Sequence, residues 1–173
     1  MNLGDMVHSV LMLDLTEEDN FLHPNICKYC IDIIKNNLHK TKTFCKRKVL
    51  YIGDSLDPTI INLLDYYKSL YKNHYIKNIE IVYWPVGESH TWHIDTGYKN
   101  ELKNYDITTI TYLNENYEGG RTIVKDKTIE PKIGKIVKFS AEIPHMVTEL
   151  TKGERYVIVA WYNKNGKNNS IYT

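Results

Sequence analysis

Residues 78–97 are NIEIVYWPVGESHTWHIDTG, a stretch that joins a strand-like run to a compact group of metal-capable side chains. Residues 78–84 are rich in isoleucine, valine and aromatic residues, which is typical of a strand. His93 and Asp95 follow in an H-x-D arrangement, and side chains two residues apart on a strand point to the same face. The two side chains can therefore bind one metal ion together, while Ile94 packs in the other direction.

A further metal-capable side chain, His90, lies three residues before His93. On a regular strand this odd spacing places His90 on the opposite face. We therefore expect His90 to line a pocket or the surface. The alternative is a closed zinc site in which His90 is a fourth ligand.

The H-x-D pair needs a third ligand, and His145 in AEIPHMVTEL is the best candidate because it follows another strand-like run of the same region. Two histidines and one carboxylate form the facial triad of non-haem Fe(II) oxygenases, which leaves coordination positions open for a cosubstrate and O₂. Zinc is more often held by a closed tetrahedral set.

Arg155 shares strand parity with Val157 and Val159 in the run ERYVIVAWY. An arginine on an apolar inward face carries a penalty of several kcal/mol unless it meets an anion, and its guanidinium binds carboxylates bidentately. A dicarboxylate such as 2-oxoglutarate could chelate the metal at one end and pair with Arg155 at the other. Alternatively, Arg155 points outward and Tyr156 and Ile158 point inward; both faces are apolar, so parity leaves this open.

Short β-type runs continue towards the end of the chain and are separated by turn residues such as Pro131 and Gly134. They are DITTITYLN (106–114), RTIVKD (121–126), GKIVKFS (134–140) and RYVIVAWY (155–162). Short strands at this spacing predict an antiparallel sandwich or barrel, whose interior can hold side chains or a small ligand.

The N-terminal part has a different pattern, with a predicted strand at 8–15 and predicted helices at 24–38 and 57–74. Asp57 is the expected N-cap of the second helix, with Pro58 at its first position. The predicted fold class is therefore α+β, mainly β, with helices first and a β core after them.

The chain has 173 residues, a formal net charge of +1 and 42% hydrophobic residues, which suits one domain with a real core. The balanced charge gives no global field for nucleic acid or a membrane surface. No run of 18 apolar residues is present, so no membrane-spanning helix is expected.

Three cysteines form an odd set, which argues against a secreted disulfide framework and favours a reducing cytosol. Cys27 and Cys30 make a C-x-x-C motif within a helical face shared with Ile34 and Leu38. We expect core packing here, with a redox motif as the alternative.

Residues 39–56 have no clear period, and the run KTKTFCKRK within them carries five cations. We expect a solvated loop, with a substrate-facing basic edge as the alternative. This segment and residues 97–106 flank the expected site and are candidate substrate lids.

Taken together, residues 79–162 resemble the catalytic core of the prolyl 4-hydroxylase-like 2-oxoglutarate/Fe(II) dioxygenases. The matching pieces occur in the order of that family: Tyr83 and Gly87 ahead of H-x-D, YLN at 112–114, GGRT at 119–122, P-x-x-G at 131–134, FS at 139–140, His145, Gly153 and Arg155. The resemblance implies a double-stranded β-helix, or jelly roll, in one domain over residues 1–173, with N-terminal helical support at 1–75 and the catalytic core at 76–163.

The resemblance also implies residue roles. Fe(II) would be bound by His93, Asp95 and His145. Arg155 would bind the distal carboxylate of 2-oxoglutarate, with a hydrogen bond from Tyr112, and Tyr83 would be a second pocket tyrosine. O₂ would be the oxidant and ascorbate the reductant.

The implied reaction is hydroxylation of an unactivated C–H bond, in a prolyl residue of a peptide or protein, with release of succinate and CO₂. The G-x-R-Y sequence at 153–156 also resembles the peptidyl-lysine hydroxylases, and a free amino acid is a further alternative substrate. A metal-binding module without catalysis is a rival of another class. A nucleic-acid demethylase is disfavoured, since Trp161 stands where those enzymes carry a second arginine. A cytoplasmic setting is expected, which is the host cytoplasm if the chain is viral or phage-encoded.

Overall fold

The computed structural model describes residues 15–97 and 104–164. Two helices precede most of the strands. They are α1 (Pro24–Asn36) and α2 (Pro58–Ser69), with a short 3-10 turn at Leu38–Lys40. The strands are β1 (Thr16–Glu18), β2 (Lys42–Phe44), β3 (Arg47–Tyr51), β4 (Tyr75–Trp84), β5 (His90–His93), β6 (Ile107–Tyr112), β7 (Glu118–Gly119), β8 (Thr122–Val124), β9 (Lys127–Thr128), β10 (Ile136–Ser140), β11 (His145–Val147), β12 (Leu150–Lys152) and β13 (Arg155–Asn163).

The strands form a seven-stranded sheet in the order β1-β10-β6-β13-β4-β3-β2, a four-stranded sheet in the order β5-β11-β8-β9, and a β12-β7 pair. The pairings are antiparallel. This architecture confirms the predicted α+β, mainly β class with a jelly-roll core. The predicted strand at 8–15 lies outside the described residues except for its last position.

Both helices begin where the sequence predicts. The Asp57 side chain caps α2 by accepting a hydrogen bond from the Ile60 backbone N–H at 3.0 Å, and Pro58 occupies the first turn. The helix ends at Ser69, five residues before the predicted end. In α1 the His23 side chain is the cap, accepting from the Asn25 N–H at 3.2 Å. Within the described residues, no helix is long and apolar enough to cross a membrane.

The large sheet has an apolar layer on each face. The helices cover one face, where the buried residues include Cys27, Cys30, Ile34, Ile60, Leu64, Ile81 and Ile158. The four-stranded sheet covers the other face, where they include Val82, Trp84, Tyr112, Val124, Phe139, Val147 and Val157. Alternate residues of β4, β6 and β13 therefore belong to opposite layers, as the strand period requires.

The predicted role of the C-x-x-C motif is confirmed. Cys27 and Cys30 are free thiols that are fully buried against the sheet. Burial raises the pKa of Cys27 to about 11 and that of Cys30 to about 12. Both side chains therefore act as small core residues, and neither has the acidic thiol of a redox motif.

The expectation of a solvated loop over residues 39–56 is wrong. Residues 42–51 form the β2–β3 hairpin, which extends the large sheet beside β4. The sequence pattern does not predict this hairpin, because its lysines are largely exposed whereas Arg47 faces inward and is buried. Edge strands commonly carry lysine in this way.

Candidate active site

Three side chains meet at one end of the four-stranded sheet. His93 ends β5 and pairs across the sheet with His145 at the start of β11, while Asp95 follows β5 by two residues. The Nε2 of His93 lies 3.7 Å from Asp95 Oδ1, and the Nε2 of His145 lies 3.5 Å from Asp95 Oδ2. One ligand atom from each residue falls within 4.8 Å of the other two. The structure thus brings together the two histidines and the carboxylate singled out from the sequence.

The hydrogen bonds of the two histidines indicate which ring nitrogen of each carries a proton. The Nδ1 of His93 lies 2.8 Å from the Thr91 carbonyl oxygen, and the Nδ1 of His145 lies 3.0 Å from the Ile143 carbonyl oxygen. A carbonyl oxygen only accepts, so each Nδ1 is the donor, and in the neutral form of each ring the lone pair is on Nε2, the nitrogen that faces Asp95. Two lone pairs and a carboxylate at these distances repel one another unless a cation lies between them. The donor set therefore fits a divalent metal ion.

Asp95 is held by groups from the large sheet. Its Oδ2 accepts hydrogen bonds from the Thr108 hydroxyl at 2.7 Å and from the Trp161 indole N–H at 2.9 Å. Its backbone N–H bonds to the carbonyl of Ala141 at 2.9 Å. These bonds fix the carboxylate without using Oδ1. Trp161 thus orients a proposed ligand through its indole N–H.

Burial lowers the pKa of His145, and Asp95 only partly opposes that shift. Burial also lowers the pKa of His90 to about 4, and the neighbouring His93 and Arg47 act in the same direction. Both rings are therefore neutral at pH 7, which is the form in which histidine binds a metal.

The prediction that His90 lies on the opposite face from His93 is wrong. The two rings are in contact, with centroids 3.8 Å apart. The cause is a bulge in β5: His93 pairs with His145 and His90 pairs with Val147, so three steps on β5 match two on β11. The two intervening residues are both exposed. His90 nevertheless lies outside the group of three ligand atoms and lines the site, as expected.

Arg155 is a buried cation in the layer between the two sheets. Its side chain is 1% exposed, and its guanidinium carbon lies 4.8 Å from the Trp84 ring centroid and 5.7 Å from that of Tyr112. Its Nη2 donates to the Thr122 hydroxyl at 3.0 Å, whereas Nε and Nη1 have no partner among the described residues. Val157 and Val159 pack in the same layer, and Tyr156 and Ile158 pack on the helix side. The inward orientation of Arg155, which parity left open, is thus the observed one.

Further donors without partners surround Arg155. The Trp84 indole N–H and the Tyr117 hydroxyl are both buried and have no hydrogen-bond partner within the described ranges. The Tyr112 hydroxyl donates to Thr122 at 2.8 Å. Burial raises the pKa of Tyr117 to about 12, although Arg155 opposes the rise, so this hydroxyl stays protonated. A buried cation with several unused donors matches an anionic group of a ligand.

The glycines at 119 and 120 make room for this arrangement. Both have positive φ, of 70° and 58°, a backbone conformation that glycine adopts readily. A Cβ on Gly120 would lie 3.2 Å from Cδ of Arg155, and one on Gly119 would collide with the Glu149 carbonyl oxygen. The GGRT segment therefore packs its backbone against Arg155 and supplies the Thr122 hydroxyl.

Tyr83, by contrast, is not part of this pocket. It pairs directly with Tyr156 on β13, and the two rings stack at 5.1 Å on the helix-covered face of the sheet. The neighbouring pair Trp84 and Arg155 faces the interior. The aromatic side chain beside Arg155 therefore comes from Trp84, one residue later than the sequence suggested.

Four residues of the site were not predicted from the sequence, namely Trp84, Thr108, Tyr117 and Thr122. Thr122 had a usable signal, because it closes the GGRT segment that was already recognised. The other three become visible only when cross-strand pairing and the turn before β7 are known.

Comparisons with known proteins agree with this geometry. Residues 80–163 match the model of the 2OG-Fe(II) oxygenase superfamily. The chain is 31% identical over 81 residues to a PKHD-type hydroxylase of Synechococcus sp. (strain CC9605), covering 43% of this chain and 36% of that protein. It is 33% identical over 66 residues to human prolyl 3-hydroxylase 2, covering 33% of this chain and 9% of that protein. The chain thus spans well under half the length of these two relatives.

Among solved structures, a prolyl-4-hydroxylase of Pseudomonas putida superposes with a TM-score of 0.72 at 17% identity. The match covers 88% of this chain and 93% of the Pseudomonas chain. At this level of identity the likeness demonstrates a shared fold.

Proposed function

We propose that this chain, whose residues 80–163 match the 2OG-Fe(II) oxygenase superfamily, is a prolyl 4-hydroxylase-like 2-oxoglutarate/Fe(II) oxygenase that hydroxylates an unactivated C–H bond in a prolyl residue of a peptide or protein. The reaction would consume 2-oxoglutarate and O₂ and release succinate and CO₂. Ascorbate is the proposed reductant that keeps the iron in the Fe(II) state.

The observation that carries this proposal is that the structure contains both a three-residue metal-ligand group and a buried arginine, Arg155, with guanidinium nitrogens available for a ligand. The triad offers three ligand atoms, and Nε and Nη1 of the buried Arg155 have no hydrogen-bond partner in the described part of the chain. A closed zinc site would need a fourth protein ligand and would give the buried arginine no role. A dicarboxylate that also binds metal satisfies both features.

His93, Asp95 and His145 would hold the metal. Their Nδ1–H···O=C bonds and the two donors on Asp95 fix the direction of each ligand before the metal arrives. Fe(II), when bound together with 2-oxoglutarate and O₂, supplies the oxidising chemistry that a side chain cannot perform. The three residues leave the remaining coordination positions for those reactants.

The pocket residues would bind and orient the cosubstrate. Arg155 would pair with the distal carboxylate, and the Thr122 hydroxyl could join it, since Tyr112 already donates to that oxygen. The Trp84 indole and the Tyr117 hydroxyl would add neutral donors in a buried setting, where each hydrogen bond to a charged group is worth about 1.5–3 kcal/mol. The surrounding apolar residues of the inner layer exclude water from this end of the site.

The choice of a prolyl residue is supported by the similarity to human prolyl 3-hydroxylase 2, at 33% identity over 66 residues. The nature of the partner, a proline-containing peptide or protein, is part of the proposal, as is a cytoplasmic location. Peptidyl lysine is the alternative substrate. It is favoured by the G-x-R-Y sequence of Gly153, Arg155 and Tyr156, which resembles that of the peptidyl-lysine hydroxylases.

The test is a turnover assay with separate substrate classes. Anaerobically purified protein would be loaded with Fe(II), given ascorbate, 2-oxoglutarate and O₂, and assayed for succinate with proline-rich peptides, lysine-rich peptides and free amino acids. We expect succinate and a peptide gaining one oxygen atom with the proline-rich set. Hydroxylation of only lysine peptides or only free amino acids would show that the proposed prolyl substrate is wrong. The absence of both Fe(II) binding and 2-oxoglutarate turnover would refute the proposed enzymatic function.

A further inference from the structure

Arg47 reaches from the β2–β3 hairpin into the site. It is 7% exposed, and its Nη1 lies 3.3 Å from Nδ1 of His90. The His90 ring in turn contacts the ring of His93. A residue on an edge hairpin is thereby linked through one histidine to a proposed metal ligand.

The direction of the hydrogen bond between Arg47 and His90 follows from chemistry. A guanidinium has only donors, so the Nδ1 of His90 must be the acceptor and carry a lone pair. In a neutral ring the proton then lies on Nε2. This is the reverse of His93 and His145, whose Nδ1 atoms donate to carbonyl oxygens and whose Nε2 atoms carry the lone pairs.

We propose that Arg47 is a positioning residue that fixes His90 in the Nε2–H tautomer and thereby keeps His90 out of the metal-ligand set. A protonated Nε2 has no lone pair to give to a metal, and the Nδ1 lone pair is already engaged by Arg47. The inference rests on the proposed metal site, whose coordination it would keep at three protein ligands with positions open for reactants.

Arg47 is itself held on several sides. Its Nε lies 3.2 Å from Glu88 Oε1, and its guanidinium carbon lies 4.5 Å from the Trp84 ring centroid. Glu88, which is 5% exposed, also accepts the Lys46 backbone N–H at 3.2 Å through Oε2. A buried charge pair with these extra contacts has little conformational freedom. The Arg47 guanidinium is therefore already positioned to donate to His90.

The first experiment reads the tautomer directly. Nitrogen-15 NMR of the metal-free protein would assign both ring nitrogens of His90 in the wild type and in the double variant Arg47→Met/Glu88→Gln, which removes both buried charges together. We expect Nε2–H to be the dominant tautomer in the wild type and the minor Nδ1–H tautomer to rise several-fold in the double variant. Lys48→Met, at the next hairpin position, is the matched control and should leave His90 unchanged. Nδ1–H as the dominant tautomer of His90 in the wild type would overturn the inference.

The second experiment uses Co(II) as a spectroscopic probe of the ligand set. His90→Ala should leave the wild-type Co(II) absorption spectrum unchanged. The double variant should show a changed spectrum and several-fold tighter Co(II) binding, and adding His90→Ala to it should reverse both. A His90→Ala spectrum that differs from the wild type, or a double variant identical to it, would overturn the inference. Failure of the wild type to bind Co(II) would instead refute the proposed function, and the NMR result would still decide the tautomer.

Discussion

The fully buried Arg155 donates to Thr122 at 3.0 Å through Nη2, and its two other guanidinium nitrogens have no hydrogen-bond partner among the described residues. We expect Arg155→Met to raise the KM for 2-oxoglutarate by about 100-fold or more, since removing one partner of a buried charge pair costs about 3–5 kcal/mol. Steady-state succinate release at varied 2-oxoglutarate measures this.

Arg121→Met is the matched control for Arg155. Arg121 lies beside Thr122 but is partly exposed and pairs with Glu130 at 2.7 Å. Its removal should leave the KM for 2-oxoglutarate unchanged. An equal effect of the two substitutions, or none from Arg155→Met, would contradict the anion pocket.

His145→Ala should abolish turnover and lower the metal content of the purified protein. The ring is buried and supplies one of the three converging ligand atoms found among the described residues. Metal analysis together with the succinate assay measures both effects. His39→Ala, a substitution at an exposed histidine, serves as the control. Wild-type metal content in His145→Ala would remove this residue from the ligand set.

Trp161→Phe and Thr108→Val should each weaken metal binding without removing a ligand. Each substitution deletes one of the two hydrogen bonds that fix Asp95 Oδ2, and outer-shell partners of this kind are worth about 10–100-fold in metal affinity. Competition with a chelator measures the change. If the affinity of both variants equals that of the wild type, the Asp95 carboxylate does not depend on these donors.

The lowered pKa of His90, about 4 against an ordinary value of 6.5, predicts an acid-sensitive fold. The unfolded chain takes up a proton on His90 near pH 6.5, whereas the folded protein does not until about pH 4. The stability that this histidine contributes is therefore fully present above pH 6.5 and is lost as the pH falls towards 4. Because the ring is only partly buried, we expect a loss of about 1–2 kcal/mol in the free energy of unfolding.

Urea titrations of the metal-free protein at pH 7 and pH 4.5 measure this loss. His90→Gln should reduce the pH dependence without abolishing it, because burial also lowers the pKa of His145. A wild-type stability that does not change across this window would contradict the prediction.

Thiol labelling distinguishes the cysteines. Cys45 is exposed at the tip of the β2–β3 hairpin, whereas Cys27 and Cys30 are buried. We expect one thiol per chain to react with an aromatic disulfide reagent under native conditions and three after unfolding. Rapid native labelling of Cys27 or Cys30 would mean that the helix layer opens readily.

Much of the fold and of the candidate site could be predicted because local signals agree with the tertiary result. Asp57 and Pro58 start α2, and the apolar runs of β4 and β13 are long enough to show a strand. The ligand group depends only on local order around H-x-D and on one histidine that follows a strand. These are properties of single segments, which a sequence displays directly.

The errors have a common physical cause, since each concerns a relation between segments. The bulge that turns His90 towards His93 exists only in the pairing of β5 with β11. The face of Tyr83 is set by its partner Tyr156, and the β2–β3 hairpin owes its existence to the edge of β4 that it joins. Parity within one strand cannot report such relations.

The bulge in β5 also bears on how sites of this kind are aligned. A regular strand with the two histidines two positions apart would present the same pair of rings as this bulged strand, in which His90 and His93 are three positions apart. The extra residue is thus absorbed by the backbone, and the site gains no atom from it. A one-residue gap in an alignment at this point marks a change of strand geometry, and the chemistry on either side of the gap can stay the same.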